Sequence, residues 1–301
     1  MVQYVSHHLH IFLIDAFRLC VWLVILSVIF VPLERLFAVH RERVFRDGMA
    51  ADIGYYFINS WFPALLLSVP MSFVAGAAHR LIPAGFHSAV AEAPFWARTL
   101  AALVVAETGY YWGHRMMHQV PALWRFHAVH HSASHVDFMV NSRAHPIDMV
   151  FGRLCGLIPM YVIGLAGPMA GASGTIPLLI TLFGTIWGFF IHANLRWRLG
   201  PLEWLISSPA FHHWHHTLGA PTDRNFASTL PWLDLLFGTF HLPKGQWPSR
   251  YGINETMPGS LRGQLLQPLI EPRPWPVAGP AGVSGTRPLA GRSFGSATTG
   301  P

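Results

Sequence analysis

The sequence predicts an all-α fold, a bundle of about four to five membrane-spanning helices with a helical cap at one end. Composition is the first observation, because 52% of the 301 residues are hydrophobic and only 11% are charged. Soluble domains carry nearer a quarter of charged residues, so this balance indicates a membrane protein. The other two observations are a series of long apolar segments and a set of histidines at helical spacing.

Five apolar segments come close to the length of about 20 residues that a helix needs to cross a bilayer. They are Ile11–Val31, Ile53–Ala78, Phe95–Gly113, Ile147–Gly167 and Ile176–Ile191. The first contains Asp15 and Arg18, which lie one helical turn apart and are expected to pair. The fourth and fifth are joined by "PMAGASGT", which is typical of a turn, so these two segments could form a membrane hairpin.

The arginines predict how the segments are oriented. They concentrate after the first segment ("ERLFAVHRERVFRDG"), after the third (115–143) and after the fifth ("RWRLG"). Positively charged connections stay in the cytoplasm, so the predicted N-terminus lies outside and five crossings agree with the pattern. Because "MVQYVSHHLH" has no basic region and no cleavage site follows, the first segment is interpreted as a retained anchor.

Charge and cysteine content exclude several classes of protein. The formal net charge of +6 comes from scattered arginines without a basic block, which argues against a nucleic-acid partner. The two cysteines, Cys20 and Cys155, each lie in an apolar run. They therefore predict neither a disulfide framework nor a cysteine metal site.

Histidines form the most informative pattern in the chain. Twelve of the 19 histidines lie between His114 and His216, and most of these belong to "HRMMH", "HAVHH" and "HHWHH". Residues three and four apart share one face of a helix, so each motif can direct its imidazoles to a single point. His192 follows directly after the fifth segment and can join them. His213 would lie about 100° from its neighbours, which favours a supporting role over metal binding.

The number of histidines predicts two metal ions. A structural zinc takes four ligands and a catalytic zinc usually three, so eight or nine convergent histidines exceed one such site. Imidazole binds Fe, Zn, Cu and Ni alike, and the donor type does not choose between these metals. The remaining histidines are predicted to be interfacial, surface or loop residues: His7, His8, His10, His40, His79, His87, His135 and His241.

The order of the motifs resembles the fatty acid hydroxylase/sterol desaturase superfamily of membrane di-metal oxygenases. Three further stretches are similar to that family: "NSRAHPID", "HANLRWRLGPLEWLISSPAFHHWHHT" and "DRNFASTLPWLDLLFGTF". The resemblance runs from about Asp52 to Phe240. It implies a helical membrane anchor with a cytoplasmic di-iron cap that uses O2 and two electrons to hydroxylate or desaturate a lipid. Fatty-acyl, sterol, terpenoid and polar-lipid substrates all stay open.

The resemblance also implies which residues bind the two irons. The ligands carried over are His114, His118, His127, His130, His131, His192, His212, His215 and His216. His145 matches the histidine of the family's His-Pro motif and is either a ligand or a supporting residue. The chain has no His-Pro-Gly-Gly haem signature, so the electrons are expected from a separate donor of the ferredoxin or cytochrome b5 type.

Six polar residues are candidates to orient the ligands: Glu107, Asn194, His213, Asp223, Asn225 and Asp234. For Glu107 an equal alternative is a carboxylate that reaches out to the membrane interface. Three regions are predicted: an anchor with a basic loop (1–51), the catalytic domain (52–242) and a C-terminal extension (243–301). The extension is expected to be disordered from about Glu271, since it is rich in Pro, Gly and Ser.

Two other classes of function compete with a lipid hydroxylase or desaturase. A zinc or copper transporter would place its ligands near the middle of the bilayer, whereas these motifs follow the spans. A zinc hydrolase would need a glutamate base beside the ligands, as in HExxH, and none of the three motifs supplies one. The sequence makes no prediction of the oligomeric state.

Overall fold

The computed structural model describes residues 2–166 and 175–270, and the described part is helical without a β-strand. Among the described residues, two short 3-10 helices, Phe138–Ser142 and Gly200–Trp204, accompany ten α-helices. The α-helices are α1 (Val2–Phe37), α2 (Met49–Leu81), α3 (Ala84–Glu92), α4 (Phe95–Gln119), α5 (Pro121–His131), α6 (Pro146–Ile163), α7 (Thr175–His192), α8 (Pro209–His215), α9 (Trp232–Leu236) and α10 (Leu261–Ile270). The predicted turn in "PMAGASGT" and the predicted disorder from Glu271 fall outside the described residues.

Four described helices are long and apolar enough to cross a membrane, which confirms the predicted four to five spans. They are α1 from His10, α2, α6 and α7. The segment Phe95–Gly113 differs from a simple span, because α4 qualifies only together with α3, and the two are bent by 116°. This pair is either a broken span or a re-entrant loop. The predicted pair of Asp15 and Arg18 is present, at 3.2 Å on the exposed side of α1.

Glycine faces bring α4 and α6 into close contact. Each helix carries two glycines four residues apart, in "GYYWG" on α4 and in "GRLCG" on α6. A Cβ atom on Gly109 would collide with the carbonyl oxygen of Cys155, and one on Gly156 would lie 3.1 Å from the carbonyl oxygen of Ala106. Small residues at this spacing let helix backbones approach each other in membranes. The contact places the first turn of α6 beside the last turns of α4.

Two buried arginines connect the start of α2 to the segment that precedes α6. Arg46 contacts Asp52 at 2.8 Å and Asp137 at 2.6 Å, while Arg143 contacts the other oxygen of Asp52 at 2.6 Å. Each carboxylate and guanidinium therefore has a charged partner, as burial requires. Both arginines therefore have a structural role in addition to their charge near the membrane, because their ion pairs join two segments of the cap.

The end of α1 is tied to the end of α7. Asn194, two residues after α7, accepts hydrogen bonds from the backbone N–H groups of Val39 and His40 at 2.9 and 3.2 Å. The N–H of Arg196 donates to the carbonyl oxygen of Phe37 at 2.8 Å. The C-terminal ends of α1, α4 and α7 and the N-terminal ends of α2 and α6 thus meet on one side of the bundle, where α5 and α8 complete the cap.

Candidate metal centre

Nine buried histidines form two adjacent groups in the cap. Within each group, one donor atom per residue lies within 4.8 Å of every other. The first group consists of His114, His118, His127, His131 and His215. The second consists of His130, His192, His212 and His216. These are the nine histidines that the family resemblance carried over, and the structure brings all of them together.

Helical spacing places the histidines of each motif close together. Each HxxHH motif nevertheless contributes histidines to both groups. On α5, His127 and His131 belong to the first group, whereas His130 belongs to the second. On α8, His215 belongs to the first group and His212 to the second. The rings of His131 and His216 are stacked with their centroids 4.5 Å apart, so the two groups touch. This arrangement offers two neighbouring positions at which the histidines could hold a metal ion.

The distances between imidazole nitrogens fit a shared cation in each group. In the second group, Nε2 of His192 lies 2.9 Å from Nε2 of His212 and 3.2 Å from Nε2 of His130. In the first group, Nε2 of His127 lies 3.0 Å from Nε2 of His114. Two nitrogens that each lie about 2.1 Å from one ion, at a right angle, are about 3 Å apart.

Six of the nine imidazoles direct Nδ1 at an oxygen atom that can only accept a hydrogen bond. The acceptors are carbonyl oxygens of Phe226, Arg143, Gly188 and Arg224 and carboxylate oxygens of Asp223 and Asp148, at 2.7–3.1 Å. Nδ1 must therefore carry the proton in each of these rings, which assigns the tautomer. The Nε2 lone pair then faces the centre of the group, in the arrangement typical of metal-binding histidines.

Several of these Nε2 atoms have no hydrogen-bond donor beside them within the described structure. Nε2 of His118 and Nε2 of His215 are buried without a hydrogen-bond partner among the described residues. Nε2 of His130 and Nε2 of His192 face each other with two lone pairs and no proton between them, since both rings hold their proton on Nδ1. Buried polar atoms are costly unless satisfied. A cation in each group satisfies them, so the residues fit a pair of metal ions.

Burial keeps five of the cap histidines in the neutral form that binds metals. It lowers the pKa of His215 to about 3 and that of His130 to about 4, and the neighbouring His127 adds to the lowering in both. Burial likewise moves the pKa of His131, His212 and His216 well below the ordinary value. Protons therefore do not compete for these nitrogens near neutral pH.

The residues predicted to orient the ligands differ in how directly they contact the histidines. Asp223 contacts a histidine directly, through Nδ1 of His118 at 3.1 Å. Asp234 accepts from the backbone N–H of Phe226 at 2.8 Å, and the carbonyl oxygen of Phe226 in turn accepts from His114 at 2.7 Å. Asp234 thus supports His114 through one intervening residue.

Three of these residues, Glu107, Asn225 and Asn194, hold backbone segments around the centre and form no hydrogen bond with the side chains of the nine histidines. Glu107 is only 5% exposed and accepts from the backbone N–H of Thr229 at 2.5 Å, so the alternative of a carboxylate reaching the membrane interface is wrong. Asn225 donates to the carbonyl oxygen of Phe211 at 2.8 Å, next to His212. Asn194 ties the end of α1 to that of α7, as described above.

Two further buried histidines lie outside both groups. His145 lies outside both groups, because it caps α6: its Nδ1 accepts from the N–H of Ile147 at 3.2 Å and its Nε2 contacts the carbonyl oxygen of Leu265 at 3.2 Å. This geometry argues against the ligand alternative. His87, predicted to be an interfacial or surface residue, is only 2% exposed and contacts the carbonyl oxygen of Val162 at 3.1 Å. It connects α3 to the end of α6.

His213 is fully buried and faces away from both groups. Its Nε2 donates to the carbonyl oxygen of Ala193 at 3.1 Å, which leaves Nδ1 to accept from the hydroxyl of Tyr251 at 2.8 Å. Both ring nitrogens are therefore used within the cap. Burial lowers the pKa of His213 to about 4, so this ring is also neutral.

Asp148 is the residue that sequence reasoning missed. It lies in the first turn of α6 and accepts from Nδ1 of His127 at 3.0 Å. A signal was present, because "HPID" places an acidic residue three positions after His145. Sequence spacing does not show that this carboxylate contacts a histidine 21 positions earlier, because the contact depends on how α5 packs against α6.

A cavity of about 420 Å³ connects the histidines to the interior of the bundle. It lies between α2, α4, α6 and α7, and both histidine groups contribute to its wall. The histidines at its end are His114, His127, His130, His192 and His212. Its far part is apolar and is lined by Leu67, Leu103, Leu157, Met160 and Ile180. A hydrocarbon chain can therefore occupy this cavity with one end beside the histidines.

Comparison with known proteins identifies the family. The family model described as fatty acid hydroxylase matches residues 99–239. The ornithine lipid hydroxylase OlsE of Rhizobium tropici is 32% identical over 240 residues, which cover 78% of this chain and 70% of that protein. This chain belongs to the fatty acid hydroxylase family. The resemblance predicted from the histidine motifs is confirmed.

Other members of the family match over shorter regions. Alkylglycerol monooxygenase of Xenopus tropicalis is 34% identical over 44% of this chain and 28% of its own length. Methylsterol monooxygenase 2-2 of Arabidopsis thaliana is 28% identical over 48% of this chain and 54% of its own length. No solved structure matches the chain. Because these relatives are hydroxylases and monooxygenases, hydroxylation is favoured over desaturation, and the protein is an oxidoreductase of the membrane lipid hydroxylase type.

Proposed function

We propose that this lipid hydroxylase binds two iron ions through its nine cap histidines and inserts one atom of O2 into a C–H bond of a polar membrane lipid. The observation that carries the proposal is the junction of the two histidine groups with the apolar cavity. A lipid in that cavity lies against both groups without leaving the bundle. The overall reaction consumes O2, two electrons and two protons and yields the hydroxylated lipid and water.

The bound metals and the protein would have separate roles in the reaction. Bound iron supplies the activation of O2 and the oxidation of the C–H bond, which no side chain can perform. The chain's own groups orient the imidazoles: Asp148 holds His127, the carbonyl oxygen of Phe226 holds His114, and Asp234 holds Phe226 in turn. The apolar wall of the cavity positions the substrate and excludes water. We assign catalysis to residues 52–242.

The electrons are proposed to come from a separate donor of the ferredoxin or cytochrome b5 type. A polar lipid is favoured as the substrate, because OlsE acts on an ornithine lipid and its similarity extends over most of both chains. Sterols and alkylglycerols are the competing substrate classes, since shorter regions resemble enzymes that act on them.

The active site is proposed to face the cytoplasm. Arg41 and Arg43 are exposed beside the end of α1, on the side of the bundle that carries the cap. Positive charges next to spans favour the cytoplasmic side. The test is thiol labelling of Lys244→Cys, an exposed cap position, in a background where Cys20 and Cys155 are replaced by Ser. Labelling only in inverted vesicles is expected, and labelling only in right-side-out vesicles contradicts this orientation.

Metal analysis of the purified protein, combined with lipid profiling of expressing cells, tests the proposed function. We expect about two irons per chain and a lipid that is heavier by one oxygen. His215→Ala should abolish this lipid, whereas His79→Ala, which changes an exposed histidine of α2, should leave it unchanged. One zinc per chain with unchanged lipids would contradict the proposal. A product lighter by two hydrogens would select the desaturase instead.

A further inference from the structure

We infer that Arg153 binds the anionic group of the substrate headgroup, so that the enzyme hydroxylates a carbon close to the headgroup of an anionic or zwitterionic lipid. This inference rests on the proposed function, and it adds the substrate class and the region of the lipid that is oxidised. Arg153 lies in α6, within a segment that can span the membrane. It lines the same cavity that reaches both histidine groups.

Arg153 has no ion pair and no hydrogen bond among the described residues. Two acidic residues also line the cavity, but both are engaged elsewhere. Glu107 accepts from the backbone N–H of Thr229 and from the hydroxyl of Ser228, and Asp148 accepts from His127. A cation within a membrane span is costly without a partner, and such residues commonly mark a substrate site. The guanidinium of Arg153 is thus available to a ligand anion.

The position of Arg153 on α6 orients the substrate. α6 begins at the histidine end of the cavity, where Asp148 holds His127, and continues into the bundle. Arg153 comes five residues after Asp148, or about 7.5 Å along the helix axis. The next cavity-lining residues on this face of α6 are apolar and end at Leu157 and Met160. Moving away from the histidines, the wall therefore presents a cation first and hydrocarbon afterwards.

This order matches a lipid that enters with its headgroup towards the histidines and its chains towards Met160. An arginine fork binds carboxylate and phosphate oxygens in a bidentate manner. A lipid held in this way presents carbons of the headgroup, or of the adjacent bonds, to the metal centre. A carbon far along an acyl chain would lie on the wrong side of Arg153. The shared chemistry is an anion, which either a carboxylate or a phosphate can supply.

The test uses the iron-loaded full chain in detergent, supplied with O2, a reductase and an electron donor, and four lipids: ornithine lipid, its carboxyl methyl ester, phosphatidylglycerol and a neutral alkylglycerol. Arg153→Gln and Arg153→Lys are compared with Arg80→Gln, which changes an exposed arginine at the end of α2. Initial rates give KM and kcat, native mass spectrometry reports lipid retention, and fragmentation locates the added oxygen. Iron content is measured for every variant.

The expected result is that Arg153→Gln raises KM for the preferred anionic lipid at least tenfold with a smaller change in kcat. Arg153→Lys should lie in between, and Arg80→Gln should match the wild type. Native mass spectrometry should show the same loss of lipid retention in Arg153→Gln. Preference for ornithine lipid over its methyl ester identifies a carboxylate, and preference for phosphatidylglycerol identifies a phosphate. In either case the added oxygen should lie near the headgroup.

Two results would overturn the inference while the proposed function stands. One is an unchanged KM for the anionic lipid in Arg153→Gln. The other is wild-type enzyme that oxidises the methyl ester or the alkylglycerol in preference to both ornithine lipid and phosphatidylglycerol. If Arg153→Gln does not retain iron, the wild type still tests whether the enzyme recognises an anionic group, through its preference between ornithine lipid and the methyl ester. An iron-loaded wild type that adds oxygen to none of the four lipids would instead contradict the proposed function.

Discussion

Oδ1 of Asp148 lies 3.0 Å from Nδ1 of His127, and both side chains are buried. This contact joins the first turn of α6 to the centre of the first histidine group, where Nε2 of His127 lies 3.0 Å from that of His114. The carboxylate fixes the proton of His127 on Nδ1 and leaves Nε2 free for a metal.

Replacing Asp148 should therefore weaken metal binding without removing a ligand. Asp148→Ala is expected to lower metal affinity in the first group 10–100-fold, the usual effect of losing such a partner. Asp148→Asn keeps an oxygen acceptor and should lose less. Competition with a chelator measures both, and Asp47→Asn, an exposed carboxylate, is the control. Equal affinity in Asp148→Ala and the wild type would show that the contact does not support the metal.

His145 and His130 provide a contrast between a capping and a ligating histidine. His145→Ala should retain two metals per chain and lose about 0.5–2 kcal/mol of stability, since it removes the cap of α6. His130→Ala should lose the metal of the second group. Metal content and thermal unfolding of the two variants separate the roles. Loss of a metal in His145→Ala would restore His145 as a ligand.

Asp52 holds both buried arginines of the cap, so its removal should be costly. Asp52→Ala leaves Arg46 and Arg143 without one of their partners and is expected to destabilise the protein by about 3–5 kcal/mol. Asp15→Ala breaks the exposed pair with Arg18 and should cost about 1 kcal/mol or less. Denaturant unfolding in detergent compares the two. A similar small effect of both substitutions would mean that the buried network does not stabilise the cap.

The close approach of α4 and α6 can be tested at a single glycine. Gly109→Ala places a methyl group against the carbonyl oxygen of Cys155, so the helices must separate, and both thermal stability and iron content should fall. Gly76→Ala is the matched control, because a Cβ atom there meets nothing within 4 Å. Alanine has the higher helix propensity, so the control should be neutral or slightly more stable. Unchanged stability in Gly109→Ala would contradict the packing described.

Local periodicity accounts for the features that the sequence predicts well. Spacings of three and four residues place His127, His130 and His131 on one helical face, and the same rule applies around His212. Apolar length predicts the spans of α1, α2, α6 and α7 in the same way. α4 departs from a simple span, because its apolar part is short and it continues to His118 and Gln119 in the cap.

The arrangement of the centre depends on contacts between distant parts of the chain. No spacing rule indicates that His130 joins His192 while its neighbour His131 joins His215. Several histidines are oriented by backbone carbonyl oxygens, such as that of Gly188. Every residue has such an oxygen, so the residue type does not show which one accepts the hydrogen bond. The ion pair of Arg46 with Asp137 spans 91 positions, whereas the arginine pattern in the sequence predicts only membrane orientation.

The most direct test of the central claim is the origin of the oxygen in the lipid product. The purified, iron-loaded protein with a reductase and electron donor should convert its lipid substrate under ¹⁸O2 to a product that carries one ¹⁸O atom. Mass spectrometry of the extracted lipid measures this label. A hydroxylated lipid with oxygen only from water, or a product that has lost two hydrogens without gaining oxygen, would contradict the account.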